Sequence, residues 1–292
     1  MKRKFSLSRL LCSIVCAAFG LICVIPFILV LSISLTPDRL IGIYGYQLIP
    51  HNATIEAYRY ILGSATSLSR SYLVTIFVTV AGTLGSLLIV SMLAYPLSRQ
   101  EVKYRNKVSM FVFITMLFSG GLVPTFILYT RYLKIDNTIL VLILPYLVSA
   151  WNVMLMKNFF LSDVPASLVE SARIDGSSEV RTFFSIVVPI SKPIFATVGL
   201  FVALQYWNDW WLALMYIEDK ALSPLQYTLQ TMLLNMQIMQ SDTQLFKDNL
   251  KDIPTESARM AMCIFSIGPI ILAYPFLQKY IVKGLTVGAV KG

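Results

Sequence analysis

The strongest constraint on the fold of this chain is a set of long stretches that contain no charged residue. Five such stretches cover 10–35, 71–98, 108–130, 137–156 and 260–278. Each is longer than the roughly 18 apolar residues that a helix needs to cross the hydrocarbon core of a bilayer. A sixth stretch, 193–217, carries a single charge, that of Asp209. The sequence therefore predicts an all-α integral membrane protein.

We predict six transmembrane helices within a single domain over 1–292. Their predicted bounds are about 10–36, 71–98, 108–130, 137–156, 193–217 and 260–279. The first of them is much longer than the apolar region of about 7–15 residues in a cleaved signal peptide. We therefore expect it to remain in the protein as a membrane anchor.

The distribution of basic residues predicts the orientation in the membrane. With the N-terminus inside, the cytoplasmic segments 1–9, 99–107, 157–192 and 279–292 carry 15 Lys/Arg and 5 Asp/Glu. The outer segments, with Asp209 counted among them, carry 9 and 10. Since cytoplasmic loops are rich in Lys and Arg, both termini are predicted to be cytoplasmic. The net charge of +9 thus indicates membrane topology, and we expect no nucleic-acid partner.

A polar insert over 163–190 interrupts the apolar pattern on the cytoplasmic side. Ser167 and Glu170 have the spacing of a capping box, which predicts the start of a short helix. Gly176 predicts its end, because glycine readily adopts the left-handed conformation that follows many helices. A helix of about eight residues is marginal alone, so we expect it to need a partner surface.

A second short helix is predicted directly after Gly176. Ser178 is placed to cap its first turn, and Glu179 follows where the helix dipole favours a negative charge. Apolar residues then recur at helical spacing and predict one apolar face. They are Val180, Phe183, Phe184 and Val187.

The insert resembles the EAA motif of ABC importer permeases. Glu170, Ser171 and Ala172 are followed after three residues by Gly176, and after nine more by Ile186-Val-Val-Pro189. The family pattern has Ala where this chain has Ser171 and Leu where it has Val188. Neither change alters the predicted helix, turn or charge.

Other segments resemble the sugar-importer branch of this family, which includes the maltose permease. They are "IDNTILVLILPYL" at 135–147, "YWNDWWLAL" at 206–214 and "YPFLQKYIVKGLTVGAVKG" at 274–292. Within that branch the chain is most similar to permeases for oligosaccharides such as aldouronates. The resemblance runs from residue 11 to residue 292.

This resemblance implies a type I ABC importer permease fold and a non-catalytic role in a bacterial plasma membrane. It implies a second permease subunit, two ATPase subunits and an extracellular solute-binding protein that delivers the oligosaccharide. ATP and Mg would bind the ATPase subunits, so no cofactor, metal or catalytic residue is expected here. The insert's first helix would be the coupling helix. Its coupling positions would be Glu170, Ser171, Ala172, Asp175 and Gly176.

The C-terminal tail has two interpretations. By resemblance it reaches into the ATPase pair, where Gly288 and Lys291 would make contacts. Alternatively, it is a basic tail that lies near anionic lipids. Its glycines do not form a phosphate-binding loop, which needs the pattern G-x4-G-K-[ST] between a strand and a helix.

The segment around Asp209, the one charged residue in the fifth predicted span, also has two interpretations. Aromatic rings stack on sugars and amides or carboxylates bond hydroxyls, so the segment is a candidate substrate path. The candidate residues are Tyr206, Trp207, Asn208 and Asp209. Alternatively, the aromatic residues form a belt at the outer interface and the acid is structural.

A predicted amphipathic helix in the outer segment 218–259 places Leu229, Met232, Leu233 and Met236 on one face. That face either packs on the spans or contacts a substrate or partner.

Among other functions, an ion-coupled transporter would be expected to carry more intramembrane charges and an internal repeat. An ABC permease for another small solute is the nearer alternative.

Overall fold

The computed structural model describes residues 7–63, 65–241 and 256–271, and all regular structure in these ranges is helical. The first half contains α1 (Leu7–Ser34), α2 (Asp38–Tyr44), α3 (Glu56–Leu62), α4 (Ala65–Ser98), α5 (Arg105–Leu117), α6 (Leu122–Ile127) and α7 (Ile139–Ile143). The second half contains α8 (Ala150–Asp163), α9 (Ala166–Ile174), α10 (Glu179–Thr182), α11 (Val188–Ile190), α12 (Lys192–Trp207), α13 (Trp211–Tyr216), α14 (Leu225–Ser241) and α15 (256–271).

Two of the described helices are long and apolar enough to cross a membrane alone, over Leu11–Ser34 and Leu68–Ser98. Three bent helix pairs would bring the number to five if each pair were one span. The predicted sixth span, 260–279, begins within α15 and continues beyond the described residues.

Three predicted spans are not single straight helices. The span at 108–130 is bent by 110° between α5 and α6, where Gly121 has φ +83° and Pro124 follows in the first turn of α6. The span at 137–156 bends by 48° beside Pro145. The span at 193–217 ends its first helix at Trp207 and resumes at Trp211. An apolar stretch predicts length, whereas glycine and proline determine where the helix breaks.

The chain divides into two compact units. Of the described residues, the first unit comprises 7–63, 65–68, 229–241 and 256–271, and the second comprises 69–228. In the second unit, α4, α8 and α12 share one hydrophobic core. Its fully buried members include Val90, Val153, Met156, Val198 and Val202. The polar insert 163–190 and the break between α12 and α13 both adjoin this core.

In the first unit, a carboxylate from early in the chain caps the last described helix. Asp38 accepts hydrogen bonds from the backbone N–H groups of Glu256 and Ser257, each at 3.0 Å. These donors are otherwise unsatisfied at a helix start, so the contact stabilises the beginning of α15. Tyr46 donates to Glu256 at 3.0 Å, and this hydrogen bond raises the pKa of the Tyr46 hydroxyl.

The predicted amphipathic helix in the outer segment is present as α14. Leu229 and Met236 are buried, whereas Met232 and Leu233 are half-buried. Burial of this face within a single chain favours the interpretation that it packs on the rest of the protein.

Candidate functional site: the coupling insert and the outer break

The coupling insert, residues 163–190, begins with the nine-residue helix α9. Pro165 precedes the first helical residue, and no side chain caps this end. The predicted capping box is therefore wrong. Proline has no side-chain acceptor, and because the helix starts at Ala166, the hydroxyl of Ser167 lies inside the first turn instead of before it.

The end of α9 is formed as predicted. Gly176 has φ +78°, the left-handed conformation in which a side chain would be strained. Its N–H donates to the carbonyl of Arg173 at 3.0 Å, and the N–H of Ser177 donates to that of Ala172 at 2.9 Å. This pair of bonds is a Schellman motif, and it satisfies two carbonyls that the helix end leaves open.

The predicted coupling positions divide between two faces of α9. Ala172 is buried beside Val169 and fixes the helix to the protein. Glu170, Ser171, Asp175 and Gly176 are exposed. Ile174 is 86% exposed, which sequence reasoning missed because the family motif does not include it. The outward face thus combines one exposed apolar side chain with nearby carboxylates, and protein interfaces have an apolar core and a polar rim.

The second helix starts as predicted at Ser178, whose hydroxyl accepts the N–H of Arg181 at 3.3 Å. Glu179 then connects the insert to α4. Its Oε1 receives Arg173 Nη2 at 2.6 Å, and its Oε2 receives the hydroxyl of Tyr95 at 3.3 Å. The hydrogen bond to Glu179 raises the pKa of the Arg173 guanidinium. A short polar chain from Arg173 through Glu179 to Tyr95 therefore connects α9 with α4.

The predicted single apolar face of the second helix is divided into two rows. Phe183 and Val187 are buried, whereas Val180 and Phe184 are 63% and 48% exposed. The prediction assumed one α-helix, but residues Phe183–Val187 form a wider π-helical turn. The exposed row, Val180 and Phe184, borders a pocket.

The predicted tail contacts Gly288 and Lys291 lie outside the described residues.

The outer break, residues 208–210, separates α12 from α13. Asp209 lies at its centre and accepts two hydrogen bonds. The hydroxyl of Tyr146 donates to its Oδ1 at 2.9 Å, and the N–H of Leu212 donates to its Oδ2 at 3.3 Å. The carboxylate therefore caps the start of α13 and holds the segment around Tyr146 against it.

The aromatic residues before the break are packed into the second unit. Tyr206 is 2% exposed and donates to the carbonyl of Ile143 at 2.8 Å. Its ring occupies the space above Gly82, where a Cβ atom would lie 2.4 Å from the ring. Trp207 is 8% exposed.

Asn208 is exposed, and its amide donates to the carbonyl of Leu204 at 2.8 Å. Trp210 and Trp211 follow at 39% and 42% exposure. The geometry favours a structural role for Asp209 and Tyr206. It leaves Asn208 as the candidate residue whose side chain faces outward.

The described ranges contain no group of three or more His, Cys, Asp or Glu side chains that could hold a metal ion. The two polar regions are an exposed face at the end of α9 and a helix break that Asp209 braces. What the arrangement can do is position a short helix outside the apolar spans and connect it to them.

Known proteins with the same organisation support the sequence resemblance. The family described as "binding-protein-dependent transport system inner membrane component" matches residues 2–287. The polygalacturonan/rhamnogalacturonan transport system permease protein of Bacillus subtilis is 40% identical over 94% of each chain. The trehalose/maltose transport system permease protein of Thermococcus litoralis is 31% identical over 99% of each.

A solved structure gives the same result for the fold. It is the crystal structure of a bacterial ABC transporter involved in the import of the acidic polysaccharide alginate. One of its chains matches 96% of this chain and 99% of its own length, with a TM-score of 0.80 and 28% identity. The predicted helical type I ABC importer permease fold is thereby confirmed. This chain belongs to the family of inner membrane components of binding-protein-dependent transport systems.

Proposed function

We propose that this permease carries oligosaccharides of an acidic polysaccharide into the cytoplasm. The observation that carries the proposal is the 40% identity, over 94% of both chains, to a permease named for polygalacturonan and rhamnogalacturonan. The solved relative belongs to an importer of alginate, which is also acidic. Aldouronates, whose permeases the sequence resembles, carry the same uronic acid group.

The chain is a non-catalytic membrane subunit of an ABC importer, and ATP is hydrolysed on separate subunits. For this chain we infer a complex with a second permease subunit, two ATPase subunits and a solute-binding protein outside. ATP and Mg would bind the ATPase subunits alone. The exposed carboxylates of α9, Glu170 and Asp175, would face the ATPase, and Gly176 would keep the helix end in shape.

We further infer six spans with both termini in the cytoplasm. Leu11–Ser34, Leu68–Ser98 and the pairs α5/α6 and α7/α8 are candidates for four spans, and α12, which the third bent pair joins to the insert, is the candidate for the fifth. The predicted sixth span is 260–279, which begins within α15. The excess of Lys and Arg on one side supports this orientation. It places the coupling insert in the cytoplasm and the outer break near the opposite face.

The proposed substrate is tested with the complete complex reconstituted in lipid vesicles. Galacturonate oligomers and neutral maltooligosaccharides of matched length are each supplied with the binding protein, and ATP hydrolysis is measured. We expect the acidic oligomers to stimulate hydrolysis and to enter the vesicles. Stimulation by the neutral series alone would refute the substrate class and leave the family assignment intact.

The energy source is tested in the same vesicles. We expect uptake to stop when ATP is withheld from the ATPase side, even with an imposed proton or sodium gradient. Uptake driven by either gradient without ATP would instead favour the ion-coupled alternative.

A further inference from the structure

A pocket of about 400 Å³ lies beside the coupling insert and has no role in the proposed function. One wall is the C-terminal end of α4, including Tyr95, with Arg99 directly after it, and the other is the second helix of the insert, including Val180 and Phe184. The volume lies within the range of about 300–1,000 Å³ that is typical of small-molecule sites. The pocket is therefore large enough to hold a ligand.

Arg99 gives this pocket an uncompensated positive charge. Arg99 is 9% exposed, and its guanidinium carbon lies 4.7 Å from the centre of the Tyr95 ring. Its Nε and Nη2 atoms have no hydrogen-bond partner among the residues that the structure describes. A buried cation without a counter-ion is costly, so an anion near Arg99 would be stabilised.

The other charged side chains at the pocket do not neutralise Arg99. Glu179 is already paired with Arg173 at 2.6 Å. Glu101 is exposed to solvent, where its charge is screened. The buried charge of Arg99 is therefore the one that remains for an anionic ligand.

The remaining walls are apolar and continue onto the surface of a membrane helix. Met92, Val180 and Phe184 border the pocket and are each about half exposed or more. Met92 belongs to the apolar run Leu68–Ser98, so the pocket lies where a predicted span ends. A ligand that fits has an anionic group and a hydrocarbon portion.

We propose that this pocket binds an anionic phospholipid of the cytoplasmic leaflet. Its phosphate lies beside Arg99, and its upper acyl chains follow Met92 and Phe184 into the bilayer. The proposal rests on the orientation inferred above, which places this end of α4 in the cytoplasm. Basic pockets between membrane helices on that side are suited to anionic headgroups. The lipid would contact α4 and the coupling insert together, so its presence would strengthen their connection.

The test uses the complete complex in nanodiscs of phosphatidylcholine with or without dioleoylphosphatidylglycerol, and native mass spectrometry counts the retained lipid. Arg99→Gln removes the charge and keeps much of the side-chain length. We expect about fivefold weaker retention of phosphatidylglycerol, the effect typical of losing one basic residue at a membrane surface. The matched control is Lys103→Gln, which removes an exposed cation of the same loop outside the pocket and should retain the lipid normally.

A second variant protects the test against misfolding of Arg99→Gln. Val180→Trp fills the pocket from an exposed position and should also reduce retention, whereas Ile190→Trp, exposed but outside the pocket, should not. Because the lipid would strengthen the connection between α4 and the insert, the complex should melt at a lower temperature in pure phosphatidylcholine. Inorganic phosphate, added in a separate arm, should not raise that melting temperature.

Three outcomes would overturn the proposal. The first is normal lipid retention in both pocket variants. The second is full stabilisation by inorganic phosphate alone, which indicates a free anion. The third is loss of the ATPase subunits from the pocket variants in the mass spectra while lipid retention is unchanged, which indicates that the pocket contacts a protein partner. Because retention is measured without sugar or ATP, its failure leaves the proposed import function untouched.

Discussion

The coupling insert and the outer break both interrupt apolar helices with polar residues, but they use those residues in opposite ways. In the insert, Glu170 and Asp175 point away from the protein and only a small apolar side of α9 is buried. In the outer break, Asp209 is bonded to Tyr146 and to the N–H of Leu212 inside the same unit. The insert exposes its carboxylates Glu170 and Asp175 to solvent, whereas the carboxylate of Asp209 in the outer break is already hydrogen-bonded within the protein.

This difference indicates in which region a substitution should affect the interaction with another subunit. A change in the insert should alter communication with another subunit and leave the fold largely intact. A change at the outer break should alter the fold first, because its polar groups have internal partners.

The largest effect is expected from Gly176→Pro. Proline fixes φ near −65° and has no N–H, whereas Gly176 has φ +78° and donates to Arg173. The end of α9 cannot form, so substrate-stimulated ATP hydrolysis should fall to the unstimulated rate while membrane insertion persists. Gly42→Ala is the control, because a Cβ atom there meets nothing within 4 Å and should leave stimulation unchanged. Normal stimulation in Gly176→Pro would remove the connector role of the insert.

A large loss of stability is expected from Asp209→Ala. The substitution leaves the Tyr146 hydroxyl and the Leu212 N–H without their acceptor, at up to about 1–3 kcal/mol for each of these part-buried donors. Thermal unfolding of the complex should shift downward, whereas the apparent substrate affinity at low temperature should not change. Asn208→Ala is the comparison, since its exposed amide contacts only its own helix. Weaker sugar binding with unchanged stability in Asp209→Ala would assign the carboxylate to the substrate path.

A moderate loss of stability is expected from Gly82→Ala. The new methyl group would lie 2.4 Å from the Tyr206 ring, so the ring or the backbone must move, at a cost of about 1–3 kcal/mol. Gly199→Ala is the matched control, because its nearest neighbour is the flexible end of Leu87 at 3.3 Å. Thermal denaturation should separate the two variants, and equal melting temperatures would contradict the tight packing of Tyr206.

The smallest effect on stability is expected from Glu179→Gln. This change weakens the exposed pair with Arg173, and exposed ion pairs contribute little to folding. It also weakens the connection to Tyr95, so stimulation of hydrolysis should fall partially while the melting temperature hardly moves. Glu218→Gln removes a carboxylate elsewhere and should change neither quantity. A lower melting temperature without loss of stimulation would make Glu179 a purely structural residue.

Local chemistry made some parts of the structure predictable from sequence. The stop at Gly176 and the cap at Ser178 were predicted because each depends on a few neighbouring residues. The bend before α6 was not predicted, because the length of a charge-free stretch does not indicate where a glycine will turn the chain. The partners of Asp209 and Glu179 were also missed, because Tyr146 and Tyr95 lie 63 and 84 residues away.

The cap that Asp38 provides for α15 has a consequence for how the chain is made. The N–H group of Ser257 lies 219 residues after the carboxylate that accepts it. At a synthesis rate of about 5–20 residues per second, Asp38 is made about 10–40 s before this donor. The first unit therefore cannot be completed during early membrane insertion. Its assembly must wait until residue 257 has been made, and a ribosome that stalls before residue 256 leaves it unfinished.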